Sequence, residues 1–394
     1  MKTLQTGDQN LVKQINKSIV FTYIGKNGPV SRAQISKDTG LNKATVSTMV
    51  SELITDSFVY EIGAGQSSGG RKPVLLYFNN LAGYSIGIDL GVNYLLGVLT
   101  DLSGNIIEEM NIPLKETDFE YVMNEICSII EALIKSVPES PYGIVGIGIG
   151  VPGMIDRDEN ILFAPNLKWR QIDLKQIIEN KFNIPTKVEN EANTGCYGEQ
   201  LYGAGKNIAN LIYLSIGIGI GGGIIINNTL YTGTSGISGE MGHLTIESNG
   251  KKCPCGNSGC WELYASESAL LEESKLAGSI DGDISIDTIL NEARKGNRKV
   301  LQLLNNIGEH IGIGLTNIIN TFNPEMIIIG NRMALLENWI TNPINRILTE
   351  RLSTYHRSNT NIRFSSLGTY SSALGASSFS IAKFLSDQKL VVKS

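Results

Sequence analysis

The chain has 394 residues, enough for two or three domains around large buried cores. It is 42% hydrophobic and 18% charged, which excludes a disordered or fibrous chain and fits a globular protein. Its net charge of −5 is unevenly placed: residues 1–79 carry nine Lys or Arg against five Asp or Glu, and the rest carries 24 against 33. A basic head on an acidic body points to a head that meets a polyanion. The N-terminus is polar, and its first apolar patch, Ile19 to Ile24, is short and lacks a cleavage site. The longest apolar run, Leu211 to Ile226, is interrupted by five glycines. Neither a secretory signal nor a membrane span is expected. Cys127 and Cys196 stand alone in sequence, so no disulfide framework is expected and the expected compartment is the cytoplasm.

The head, residues 1–79, reads as a winged helix-turn-helix. Apolar residues recur at helical spacing from Leu11 through Ile15, Ile19 and Val20 to Ile24, and Gly25 closes the pattern. Ser31 can cap a second helix over Arg32 to Thr39, and Gly40 turns the chain. A third helix runs from Asn42 to Ile54, with Val46, Met49, Val50, Leu53 and Ile54 on one face and small polar residues elsewhere. Such a helix suits close approach to a major groove. Phe58 to Ile62 and Val74 to Phe78 read as strands around a glycine-rich wing that carries Arg71 and Lys72. The candidate phosphate or groove contacts are Arg32, Lys43, Arg71 and Lys72; the candidates for base edges or close backbone contact are Asn42, Thr45, Ser47 and Thr48.

In the body, Tyr84 to Gly91 is a strand entering a glycine turn, and a second strand, Tyr94 to Thr100, follows. The pair resembles the hairpin that opens an actin-like or sugar-kinase fold. A helix over Phe119 to Val137, a strand over Val145 to Gly150, a helix over Asp173 to Phe182 and a helix opened by Glu189 to Asn193 come next. The pattern then repeats with strand Leu211 to Ile216, a glycine loop over Gly217 to Gly223 and strand Ile224 to Ile226. Two similar halves predict two α/β lobes with a cleft between them: residues 80–190, joined by a C-terminal helix within 370–394, and residues 191–369.

Between Gly239 and Glu262 lie three of the five cysteines and one of the three histidines. Cys253-x-Cys255-x4-Cys260, with His243 ten residues upstream, supplies the three sulfurs and one nitrogen of a closed tetrahedral zinc site. A disulfide loop is the other reading, and the cytoplasmic expectation weighs against it. Glu240 and Glu262 bracket the cluster, where a metal loop would hold both carboxylates rigidly.

The segment Gly239-Glu-Met-Gly-His243, the Cys-rich loop, Ser-Ser-Gly-Gly-Arg71, Glu189-Asn-Glu-Ala-Asn193 and Gly259-Cys-Trp-Glu-Leu-Tyr264 together resemble the ROK family (repressors, open reading frames and sugar kinases). The likeness covers essentially the whole chain. It implies a ribonuclease H-like body, one structural Zn2+ on His243, Cys253, Cys255 and Cys260, and a monosaccharide surrounded by Asn166, Asn190, Glu191, Glu240, His243 and Glu262. A ring of sugar hydroxyls needs donors and acceptors in fixed places, and these side chains supply both.

The family contains kinases and repressors, and the loops discriminate between them. The kinases place an aspartate at the position of Glu191 as general base, and one extra methylene misplaces such a group. Their first phosphate loop reads Asp-x-Gly-Gly-Thr, where this chain has Asp89-Leu-Gly-Val92-Asn93. Their second carries a Thr where Ile218 stands, and their later glycine turn is broken by Asn331 and Arg332. The expected protein is therefore a non-catalytic, sugar-responsive repressor that binds operator DNA as a homodimer, with half-sites about 34 to 36 Å apart. D-Xylose is the expected effector and glucose the second candidate. Glu191 is expected to fill the space that a hexose's hydroxymethyl group would need. The alternatives are an ATP-dependent sugar kinase with an appended DNA-binding head, and a DNA-binding scaffold without effector.

Overall fold

The computed structural model describes residues 9–64, 74–280 and 282–391. The head comprises α1 (Gln9–Asn27), β1 (Val30–Ser31), α2 (Arg32–Thr39), α3 (Lys43–Thr55), β2 (Val59–Ala64) and β3 (Val74–Phe78). Its turns follow from local chemistry. Ser31 accepts from the Gln34 amide, Gly40 adopts φ 74°, and the Asn42 side chain accepts from the Thr45 amide to open α3. Side-chain caps of this kind contribute about 1 kcal/mol each. Two details differ from expectation: α1 runs through Gly25 to Asn27, and β1 adds a third strand in the order β1-β3-β2. Val46, Met49, Val50 and Leu53 of α3 bury against the same core as Val20, Phe21 and Ile24 of α1. Ile54, at the edge of that face, packs there only partly buried.

The first lobe follows as β4 (Tyr84–Leu90), β5 (Tyr94–Asp101), β6 (Ile106–Pro113), α4 (Phe119–Lys135), β7 (Ile144–Val151), β8 (Met154–Ile155), β9 (Ile161–Ala164), β10 (Trp169–Ile172), α5 (Leu174–Phe182), β11 (Thr186–Asn190) and α6 (Glu191–Tyr202). The second contains β12 (Leu211–Ile216), β13 (Ile220–Ile226), β14 (Thr229–Leu230), α7 (Glu262–Ala265), α8 (Glu267–Leu276), α9 (Ile286–Arg294), α10 (Arg298–Phe322), β15 (Met326–Gly330), α11 (Glu337–Arg351), α12 (Thr354–Arg357), β16 (Asn361–Phe364) and α13 (Ser371–Asp387). The main sheets run β6-β5-β4-β7-β11 and β14-β13-β12-β15-β16. In each, the first three strands in sequence pair antiparallel and the last two parallel. The duplication expected from sequence is thus a duplication of topology.

The glycine run is shorter as a loop than its composition suggests. Gly221, Gly222 and Gly223 lie within β13, paired with Ser215, Leu214 and Tyr213, so only Gly217 to Gly219 form the turn. A Cβ on Gly223 would stand 2.4 Å from the Ala192 carbonyl oxygen. Close approach of α6 to the strand, and not a ligand loop, requires glycine there.

Each lobe gives its last helix to the other. α6 packs on β12 and β13, whereas α13 returns to β4 and β7, and the two helices cross. The crossing is very close: a Cβ on Gly198 would meet the Ser371 carbonyl oxygen at 2.1 Å, and one on Gly375 the Thr194 carbonyl oxygen at 1.8 Å. Beyond the crossing, α13 enters the head. Ile381 and Leu390 share one core with Val20, Leu53, Phe58, Leu102 and Val145. Phe58 stacks on Tyr142 at 5.0 Å and lies 6.0 Å from Phe384, and the Tyr142 hydroxyl donates to the Asp56 carbonyl (2.8 Å). The boundary expected at residue 79 divides the sequence, but the packing runs across it. Among the described residues, no helix is long and apolar enough to cross a membrane.

Candidate effector cleft, metal centre and DNA-facing helix

A cleft of about 400 Å³ opens between the lobes, within the ordinary range for small-ligand sites. It brings together all six side chains expected around a sugar: Asn166, Asn190, Glu191, Glu240, His243 and Glu262. They are not equally free. The Asn190 oxygen caps α6 through the Ala192 and Asn193 amides, and its nitrogen donates to the Gly153 carbonyl. Asn190 therefore positions Glu191 and has one amide proton left for a ligand. Glu262 Oε2 accepts from the Ile220 amide at 2.9 Å, which ties the end of the Cys-rich loop to the glycine turn. Asn166, in the turn between β9 and β10, is exposed to the cleft.

His243, Cys253, Cys255 and Cys260 present ligand atoms that all lie within 4.8 Å of one another. Cys255 Sγ and Cys260 Sγ are 3.7 Å apart, and Cys253 Sγ lies 3.8 Å from His243 Nδ1. Tetrahedral bonds of usual zinc length require about 3.8 Å between two sulfurs and about 3.6 Å between sulfur and nitrogen, so the residues fit such an ion. With Nδ1 turned to the cysteines, Nε2 faces the Glu240 carboxylate at 3.8 Å.

Glu191, which lines the cleft, and buried Asp89 behind it are two interacting carboxyls with no Lys or Arg partner among the described residues. Asp89, buried at the end of β4, accepts from the Tyr94 hydroxyl at 2.7 Å, and its other oxygen has no partner. Burial pushes its pKa up to about 6, against the Tyr94 hydrogen bond and the nearby Ser372 hydroxyl. Glu191 accepts from Ser215 Oγ at 2.7 Å. Burial first, and the Asp89 charge second, push its pKa up to about 8, while Ser215 and Asn331 hold it down. Both pKa values exceed the ordinary 3.8 and 4.5, so the folded state binds more protons than the unfolded one. The pair's stabilising contribution is complete below pH about 4 and is lost as pH rises through 6 and 8. Thermal midpoints measured from pH 5 to 8.5 should fall less steeply for Glu191→Gln than for the wild type. Parallel curves would contradict the assignment.

The loops that depart from the kinase pattern all face this cleft. Val92, Ile218, Asn331 and Arg332 line it. Arg332 Nε lies 3.2 Å from the nearly buried Glu267 carboxylate, and its Nη2 lies 3.6 Å from Asp287. The Glu267 amide also donates to the Gly217 carbonyl. The sequence did not single out Tyr94, Ser215 or Glu267. Ser215 and Glu267 pair across long sequence separations with Glu191 and Arg332, and Tyr94 reaches Asp89 only because a hairpin folds back between them.

In the head, Lys43, Ser47 and Thr48 are exposed on α3, and Thr45 is half-buried. Asn42 is also exposed, but its carboxamide oxygen is committed to the cap. Arg32 pairs with Glu61 of the wing strand at 2.7 Å, so engaging a phosphate would require exchanging that partner. Arg71 and Lys72 lie outside the described residues.

A continuous path connects the cleft with the head. Ser372, in the first turn of α13, bonds Thr194 of α6 at 2.9 Å. Buried Glu199 of α6 accepts from Ser365 and Ser371 Oγ and from the Ala204 amide. The far end of α13 carries Phe384, 5.2 Å from Tyr142, into the head core.

A kinase-type, two-lobed body whose last helix is built into the core of a winged head is the architecture of a ligand-responsive DNA-binding regulator. Residues 85–383 match the ROK family profile, and the chain belongs to the ROK family. The xylose repressor of Bacillus spizizenii is 48% identical to it over 387 residues, 98% of this chain and 100% of that protein. A solved ROK family transcriptional regulator, a homolog of the E. coli MLC protein, superposes with a TM-score of 0.81 at 27% identity over 96% of this chain and 99% of that chain. A ROK family glucokinase from Streptomyces griseus, solved with glucose and AMPPNP, gives a TM-score of 0.70 at 28% identity over 75% of this chain and 99% of that chain.

Proposed function

We propose that the protein is a sugar-responsive transcriptional repressor. Two winged heads of a homodimer bind operator DNA, and a monosaccharide in the cleft releases them. D-Xylose is the first candidate, on the resemblance to named xylose repressors, and glucose the second. Asn166, Glu191, Glu240, His243 and Glu262 bind the sugar, Asn190 positions Glu191, and one Zn2+ on His243, Cys253, Cys255 and Cys260 holds their loop. In the head, Lys43, Thr45, Ser47, Thr48 and Arg32 contact DNA with Arg71 and Lys72 of the wing. Thr48 Oγ1 donates to the Ala44 carbonyl, which leaves its methyl group to meet a thymine methyl.

One observation carries this reading: the glycine turn, Asn331 and the Arg332–Glu267 pair are tied together in the loops that the resemblance assigns to nucleotide in the family's kinases. The second reading, a sugar kinase, draws on the carboxyl retained at Glu191. Phosphoryl transfer, however, depends on preorganised donors around the phosphates, and Val92, Ile218 and Asn331 replace the residues that provide them. Incubating the pure protein with ATP, magnesium and either xylose or glucose should yield no sugar phosphate, while calorimetry with the same sugars should show binding. Accumulation of a sugar phosphate would establish the kinase instead.

A further inference from the structure

We infer that Asn331 is a positioning residue of the cleft: its carboxamide fixes Glu191, through Ser215, as a rigid acceptor for an effector hydroxyl. This rests on the sugar-binding reading above. Asn331 adopts φ 60° and ψ −158°, a backbone region that is essentially reserved for glycine because a Cβ crowds the adjoining peptide. The turn after β15 could therefore be made with less strain by glycine, and the backbone gives no reason for a side chain there. Such outliers persist where the surroundings hold them and the side chain serves a site.

Two bonds show what that side chain reaches. Its oxygen accepts from the next amide, that of Arg332, at 2.7 Å, a contact confined to the turn. Its nitrogen donates to Ser215 Oγ at 3.0 Å, and Ser215 Oγ donates to Glu191 Oε1 at 2.7 Å. A hydroxyl has one proton, so a donor on its far side directs that proton toward the carboxyl. The same carboxamide lies 3.0 Å from where a Cβ on Gly217 would stand and fills the space beside the glycine turn. Three elements meet in this chain of bonds: the start of α6, the end of β12 and the turn after β15. Glu191 is thereby held against the second-lobe wall of the cleft.

Asn331→Gly separates the two effects, because it relaxes the backbone while removing the tether. In the full-length protein we expect the thermal midpoint to stay level or rise. Affinity for whichever of D-xylose and D-glucose the wild type binds should fall about fivefold by calorimetry, as for loss of one ordinary hydrogen bond. Ser215→Ala should give a similar loss, and the double variant should be no weaker than the worse single one. Wild-type affinity in Asn331→Gly, losses that multiply in the double variant, or an affinity loss that merely follows a fall in thermal midpoint would each overturn the inference. A wild type that binds neither sugar would instead overturn the reading on which it rests.

Discussion

Cys255→Ser should retain less than about a tenth of an equivalent of zinc per chain after dialysis against a chelator, where the wild type retains one. It should also lose its response to sugar while binding operator DNA within a few-fold of the wild type. Cys255 is the exposed member of the cluster, so its replacement spares the core beneath. Buried Cys260 precedes Trp261, whose indole donates to the His310 carbonyl. Without the ion, the loop that ends in Glu262 loses its tether, and with it go the fixed places of His243 and Glu240. A protein that folds, holds DNA and ignores sugar is the expected phenotype. Metal analysis together with sugar calorimetry checks it, and full sugar affinity without bound metal would show that the loop needs no ion.

Phe384→Ala should disconnect the head from the cleft. The ring bridges Phe58 of the head and Tyr142 of the first lobe, and truncating a partly buried aromatic side chain costs about 2 kcal/mol of local packing. Sugar affinity measured without DNA should stay within about twofold, because Phe384 lies at the far end of α13 from Ser372. The factor by which sugar weakens DNA binding, commonly about 5- to 150-fold in coupled systems, should fall several-fold. Unchanged coupling would mean that the signal reaches the head by another route.

These expectations differ in how far the sequence supports them. Ser31, Gly40 and Asn42 act within three or four residues of themselves, so the helix-turn-helix could be read directly from the chain. The Cys-rich loop was equally legible, because its ligands lie within a short span at metal spacing. The twofold repeat of strand, glycine turn and strand disclosed the lobes. Other elements had weak local signatures: β6 is largely exposed and gives only Met110 and Ile112 to the core, and β16 is a short edge strand. Glycines 221 to 223 resemble a loop in composition but form a strand paired with β12, where α6 lies close against Gly221 and Gly223 and the Gly239–Met241 segment against Gly222. The shared core of head and body depends on Phe58, Tyr142 and Phe384, three residues that only the folded chain brings together. Asn331 could be noticed as a break in a glycine pattern, but its φ and its link to Glu191 through Ser215 required the structure.

Under the proposed function, occupancy of the cleft is communicated to DNA and is not converted into chemistry. The most direct test is to titrate the sugar into the free protein and into its complex with DNA fragments selected by the protein from a random pool. Reciprocal linkage predicts that DNA weakens sugar binding by the same factor by which sugar weakens DNA binding. Sugar that binds equally well with and without DNA would contradict it.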